Sequence, residues 1–284
     1  MQTGVGKIFA LGDKEFELFR EIVYRESGIN LTEKKKSLVQ ARLMRRLREL
    51  CLADYGMYYA FLQKNYQDEI VHLINCITTN KTEFFRESNH FDYLRTVILP
   101  EFERAGKRRL RIWCAGCSTG EEPYSIAITV LEYFGDRRLP DVKMLANDID
   151  TQVLRTAQEG IYPYEAVAVM GEGLLRKYFL RGKGDFNGLY RVKDGVKEMI
   201  SFRRLNLLTE HFPMKGTFDV IFCRNVIIYF DKASQQKLFH QFYRYLTDDG
   251  YLILGHSEAL TGHGELFRFR GKSIYGKAVC SSEN

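Results

Sequence analysis

An α/β fold is what this sequence predicts: a doubly wound sheet with an inserted small β-subdomain, standing behind an all-helical N-terminal domain. Three observations carry that expectation. No strand-like run precedes residue 108. Beyond it, short apolar runs alternate with helical patterns, which is the signature of parallel sheets. The length of 284 residues suits a small domain followed by a medium one. The expected division is 1–82 and 83–284, with the β-subdomain at about 178–198.

The helices come first. Asp13 precedes a stripe of Phe16, Phe19, Ile22 and Val23 that Gly28 closes, the pattern of a capped amphipathic helix. Thr32 opens a second helix running to Leu50. A third covers 53–65, and a fourth covers 68–80 with Ile70, Val71, Ile74 and Ile77 on its apolar face. Strands are expected at Leu110–Cys114, Val142–Asn147, Met199–Arg203, Phe218–Cys223 and Tyr251–Leu254. Helical patterns at 123–134, 151–160 and 234–246 separate several of them. The connection before the third strand is too long for a simple crossover. Its stretch 178–200 is rich in glycine and in β-formers such as Tyr190 and Val192, so it reads as a hairpin-bearing subdomain.

Composition narrows the class. Hydrophobic residues make up 45% and charged residues 27%, which gives a globular chain with a real core. No run approaches the ~18 apolar residues of a membrane span, and the first residues do not form a secretory leader. Cys51, Cys76, Cys114, Cys117, Cys223 and Cys280 sit mostly alone in apolar segments, as buried thiols of a reducing cytosol do. A cytoplasmic location follows, and the net charge of +6 is compatible with an acidic partner. Cys114 and Cys117 make a C-x-x-C, but zinc needs two more ligands with paired spacing and no second Cys/His cluster exists. No metal site is expected.

The first strand runs into a small-residue turn holding Gly116 and Gly120, and then into a helix. That is the layout of a nucleotide-type cofactor loop, whose ligand lies beyond the carboxyl ends of the strands. The glycine spacing is not that of a dinucleotide fingerprint. The second strand ends in Asp148 and Asp150. One carboxylate can accept both ribose hydroxyls of an adenosyl group and the other can cap the next helix, so Asp148 is assigned to ribose and Asp150 to the cap. The fourth strand exits into Arg224, Asn225 and Tyr229, which is either a reacting site or a turn with a packed tyrosine.

The blocks ITTNKTEFFRE, CAGCSTGEEPYSIAI, NDID, FCRNVIIYFD and LILGHSE together resemble the CheR-type protein-glutamate methyltransferases of chemotaxis, in order and over nearly the whole chain. The resemblance implies a class I S-adenosylmethionine-dependent methyltransferase that forms glutamyl methyl esters on the cytoplasmic domains of chemoreceptors, recruited to their membrane arrays without inserting into the bilayer. It implies that Asn80, Thr82, Arg86, Gly116, Glu122, Asp148, Asn206, Leu207, Arg224 and Asn225 contact the cofactor. Arg86 and Tyr229 would act at the methyl-transfer end.

The substrate side adds two surfaces. Arg42, Arg45 and Arg46 fall within an arc of about 100° beside Val39, Leu43, Leu47 and Leu50, which makes them either a docking row for receptor glutamates or a solvated face. The row also suits a phosphate backbone, but the module has no recognisable nucleic-acid fold or stacking surface, so a nucleic-acid substrate is not expected. In the insert, the run from Arg181 to Gly188 resembles the short-loop form that binds a receptor's C-terminal pentapeptide, with Arg181 or Arg191 meeting its carboxylates.

Overall fold

Why the first four helices hold together is visible in their buried stripes. The computed structural model describes residues 10–260, 262 and 264–278; the stretch 1–9 read for a leader, and Cys280, lie outside the described residues. Helix α1 (Asp13–Ser27) buries Phe16, Phe19, Ile22 and Val23, and ends on Gly28 in the left-handed conformation. Gly12, not Asp13, holds its N-cap position. Thr32 leads into a single tight turn, Glu33–Lys35, before α2 (Lys36–Glu49) begins. Helices α3 (Tyr55–Lys64) and α4 (Tyr66–Ile77) complete an apolar cluster in which Phe19, Leu43, Tyr58 and Leu73 are wholly buried.

The arginine row of α2 is a correction. The arc that carries it borders the apolar stripe, and α2 packs against α4, so two of the three guanidiniums turn inward. Arg46 donates to both carboxylate oxygens of Glu69, at 2.8 and 2.6 Å, and Tyr58 donates to the same carboxylate at 2.9 Å. Arg42 donates to the carbonyls of Ile77 and Thr78 and to Thr79 Oγ1, where α4 hands over to the next domain. Arg45 alone of the three faces out, beside Glu49 at 3.1 Å.

The second unit opens with one helical run made of α5 (Asn89–Tyr93), a wider π turn (Leu94–Ile98) and α6 (Leu99–Arg104). Strand β1 (Arg109–Ala115), helix α7 (Glu121–Phe134), β2 (Asp141–Asp148) and α8 (Thr151–Glu159) follow. An insert then holds β3 (Ile161–Pro163), α9 (Tyr164–Val167), α10 (Gly171–Tyr178), β4 (Phe179–Arg181), β5 (Leu189–Val192) and α11 (Asp194–Lys197). The main sheet resumes with β6 (Ile200–Arg204) and β7 (Phe218–Cys223), then α12 (Lys232–Tyr245), β8 (Leu246–Leu254), β9 (Phe267–Gly271) and β10 (Ile274–Lys277).

The main sheet has the order β6-β2-β1-β7-β8-β10-β9. All pairs from β6 to β8 are parallel, and β10 runs antiparallel to both of its neighbours. The last four residues of β1 are almost wholly covered, as strands buried on both faces are. The closing hairpin β9–β10 is absent from the sequence expectation. Its turn residues, Lys272 and Ser273, have φ of 52° and 57° without being glycine or asparagine, so the usual hairpin signal is missing. The insert also exceeds the expected 178–198 span, because Ile161–Pro163 joins it as a third strand: β5 pairs antiparallel with both β3 and β4.

Removing one partner of a buried ion pair strands the other in low dielectric. Arg46→Ala is therefore expected to destabilise the N-terminal helices by about 3 kcal/mol, while Arg45→Ala leaves them unchanged. Urea unfolding followed by circular dichroism reads both, and equal midpoints for the two variants would return Arg46 to the surface.

Candidate functional site

The crossovers of the sheet leave β1 and β7 in opposite directions, which opens a crevice beyond their carboxyl ends. The residues after both strands have tight backbones there. Gly116 has φ +87°, and a Cβ on it would stand 2.3 Å from Val226 Cγ2, so any side chain would wedge the two loops apart. The pairing of Ala115 with Asn147 puts this turn beside the end of β2. There the Asn147 carbonyl accepts from the amides of Gly116 and Cys117, at 2.9 and 2.8 Å.

Asp148 is buried under the same turn. One oxygen accepts from the Ser118 amide at 2.8 Å and the other from the Asp150 amide at 3.0 Å. Burial pushes its carboxyl above the ordinary aspartate value despite those bonds. Asp150 caps α8, accepting from the amides of Gln152 and Val153. Asp150 thus takes the cap, as expected. The other oxygen of Asp150 accepts from Thr78 Oγ1 at 2.8 Å and Asn80 Nδ2 at 2.7 Å, which ties the interdomain segment to α8.

At the β7 end, Arg224 is 1% exposed and lies between two acids. It donates to Glu122 at 2.6 Å, to Glu87 at 3.1 Å and to the Arg86 carbonyl. Burial alone would raise the Glu87 carboxyl, but the guanidinium outweighs it and holds the group below its usual range. Cys114 donates to Glu122 at 3.2 Å, and burial pushes the thiols of Cys114 and Cys117 well up. Packed thiols of this kind are not thiolates. Asn225 has φ +58°, and its amide donates to Glu258 at 2.8 Å. Glu258 also accepts from Gly255 at 2.8 Å, so it fixes the loop that follows β7. Lys35 stands 5.2 Å from the centre of the Tyr229 ring, and the Tyr229 carbonyl accepts from the Asn30 amide at 2.8 Å. Four non-glycine residues with positive φ cluster here: Phe85, Glu87, Ser118 and Asn225. Such strain is held where a site is shaped rather than where a chain merely turns.

All of this surrounds one cleft of about 1180 Å³, its open mouth included. Asn80, Thr82, Arg86, Gly116, Glu122, Asp148, Asn206, Leu207, Arg224, Asn225 and Tyr229 line it. Arg42 lines it too, whereas Arg45, Arg46, Arg181 and Arg191 lie elsewhere. Three of the lining groups are already committed. The terminal nitrogens of Arg224 are taken, as above. Asn206 donates to the Glu26 carbonyl and accepts from the Leu208 amide, both at 2.9 Å. The Asn80 amide nitrogen serves Asp150. These three hold the cleft's walls together more than they face its contents. Sequence reasoning missed Glu87 and Glu258. Both are acids inside the FFRE and GHSE blocks, so buried acids in motif-rich loops were the available signal.

Two family models together match most of the chain: "CheR methyltransferase, all-alpha domain" over residues 14–78 and "CheR methyltransferase, SAM binding domain" over residues 80–275. The chain is 42% identical to Chemotaxis protein methyltransferase 2 of Pseudomonas aeruginosa, over 93% of each chain. It is 41% identical to the Chemotaxis protein methyltransferase of Escherichia coli, over 94% of this chain and 91% of that one. With the protein of the same name from Borreliella burgdorferi it shares 43% identity, over 87% of this chain and 88% of the other.

Proposed function

The chain belongs to the CheR methyltransferase family, whose enzymes use S-adenosylmethionine, and we propose that its cleft serves to methylate glutamate side chains of chemoreceptors, giving glutamyl methyl esters. The observation that carries this reading is the likeness to chemotaxis protein methyltransferases along almost the entire chain. No helix among the described residues is long and apolar enough to cross a membrane, which accords with a cytoplasmic enzyme that meets receptor arrays from inside.

The cleft's donor set fits the cofactor. The Asp148 carboxylate, an acceptor with lone pairs beyond its two amide bonds, stands where ribose hydroxyls can donate. Ile149, Leu205 and Leu207 give the lining an apolar part that suits adenine, and Glu122, also in the lining, is the acid we assign to the amino-acid end. Bound there, the cofactor supplies an electrophilic methyl group. The chain's own residues have modest work to do. A glutamate with an ordinary pKa of about 4.3 is ionised at neutral pH, so no base is required. Arg86 and Tyr229 orient the incoming carboxylate, and the N-terminal helices roof the cleft so that water is excluded.

A second contact belongs to the insert. Arg181 lies on β4, one edge of the three-stranded sheet, and such an edge accepts an added strand. A receptor's C-terminal pentapeptide bound there would raise local concentration without touching chemistry.

Three outcomes are expected. Receptor cytoplasmic fragments incubated with methyl-labelled cofactor should release the label as methanol in mild alkali; a base-stable label would overturn the carboxylate assignment. Asp148→Ala should lower cofactor affinity roughly ten- to a hundredfold, with unchanged calorimetric affinity removing Asp148 from the site. The tail peptide should bind with a Kd below roughly 100 µM and lose affinity with Arg181→Glu, and no binding at that concentration would leave the insert a purely structural element.

A further inference from the structure

Beside the Arg224 ion pair, and outside the lining of the cleft, three side chains converge from two distant stretches of chain. Glu87 and His90 come from the start of the α5 run, and His256 comes from the loop after β8. One ligand atom from each lies within 4.8 Å of the other two. His90 Nδ1 is 3.5 Å and His256 Nε2 4.0 Å from Glu87 Oε2.

His90 is the informative member. It is wholly buried, and its Nε2 lies 2.8 Å from the Lys272 carbonyl. A carbonyl can only accept, so the proton sits on Nε2 and Nδ1 carries a lone pair. That atom is buried with no hydrogen-bond partner, and it points at the carboxylate. A lone pair facing a carboxylate is repulsive unless something positive lies between them. A metal ion would meet that lone pair and lie between it and the Glu87 oxygen, which also accepts from Arg224 at 3.1 Å and from the His256 backbone amide at 3.2 Å.

We propose that Glu87, His90 and His256 bind a divalent transition-metal ion of the zinc type. Two imidazoles and one carboxylate make a three-ligand set with a fourth position open. Bonds of about 2.0–2.1 Å set tetrahedral ligand atoms roughly 3.3 Å apart, so the 3.5 Å pair is already in register. His256 must close in. Its ring is half-exposed, and its Nε2 now contacts Asn89 Oδ1 at 2.9 Å, a contact that ligation replaces. The supporting groups suit the task. A histidine ligand commonly donates its other ring nitrogen to a backbone carbonyl, and a ligating carboxylate is commonly held by a donor. Lys272 and Arg224 fill those roles. The positive charge of Arg224 beside a cation is offset by Glu122 at 2.6 Å. The site would couple to the cleft through Glu87, which adjoins Arg86.

The test uses the full, tag-free chain with zinc chloride in a non-chelating buffer. Calorimetry should show one zinc per chain, and His256→Ala should weaken it by more than about tenfold. Because His256 is exposed, that variant should stay folded; binding of S-adenosylmethionine by the same preparation confirms an intact cleft. Cobalt substitution should give the visible absorption of a four- or five-coordinate nitrogen–oxygen site. Absence of stoichiometric zinc binding, or zinc binding unchanged in His256→Ala, would overturn the proposal whatever the outcome for methyl transfer.

Discussion

A guanidinium taken out of water costs several kcal/mol unless its donors are met, and Arg224 meets that demand at both terminal nitrogens, though not at Nε, with groups from separate parts of the chain. Its partners are Glu122 on the first turn of α7 and Glu87 with the Arg86 carbonyl in the segment that joins the two domains. Satisfying one buried cation therefore draws together the end of β7, the start of α7 and the interdomain strap. The walls of the cleft are the consequence. Strained backbones at Glu87 and Asn225 persist on either side of Arg224 because this ion cluster and the Glu258 bonds hold them there.

The insert and the N-terminal helices are held to the same centre by polar contacts backed with packing. Tyr162, on β3, donates to the Thr119 carbonyl of the glycine turn at 2.6 Å. Phe84 packs edge-on against Tyr162 and Phe179, which fixes the strap to the insert. On the opposite side Tyr24 donates to Asp231 at 2.6 Å, and Gly28 lies so close to Leu208 that a Cβ would come within 1.8 Å of its Cδ1. The roof over the cleft is thus continuous with its floor, so the helical domain is part of the site rather than an appendage to it.

What could be read from the sequence was whatever repeats locally. The strand–helix alternation, the glycine turn and the paired acids at the end of β2 announce themselves within a few residues, and each occupies its expected place in the fold. Partners far apart in the chain could not be read that way. The helical wheel put Arg42 and Arg46 on one face correctly, but Glu69 and the Ile77 carbonyl that claim them belong to another helix. The same limit hid the Glu87–His90–His256 group, since His256 joins the other two from a distant part of the chain. The hairpin of β9 and β10 was missed for a local reason: Lys272 and Ser273 adopt a conformation that their residue types do not advertise.

The contrast between the two arginines bears on how such a cleft can handle a carboxylate. Arg224 sits deepest, but its charge is already spent on Glu87 and Glu122, so an incoming glutamate gains little by approaching it. Arg86 is only partly covered, and its recorded bond is to the Lys81 carbonyl at 2.9 Å, which leaves other donors of its fork open to the cleft. A nucleophilic carboxylate must be aligned without being neutralised, because a strong bidentate pair would lower the reactivity of the lone pair that has to attack. A partly covered arginine that lines the same cleft as Tyr229 is suited to the proposed task in a way that a buried, doubly countered one is not. The ion cluster contributes by position: it keeps the strap that carries Arg86 against the sheet, and with two carboxylates against one guanidinium it offers an incoming carboxylate no net positive charge.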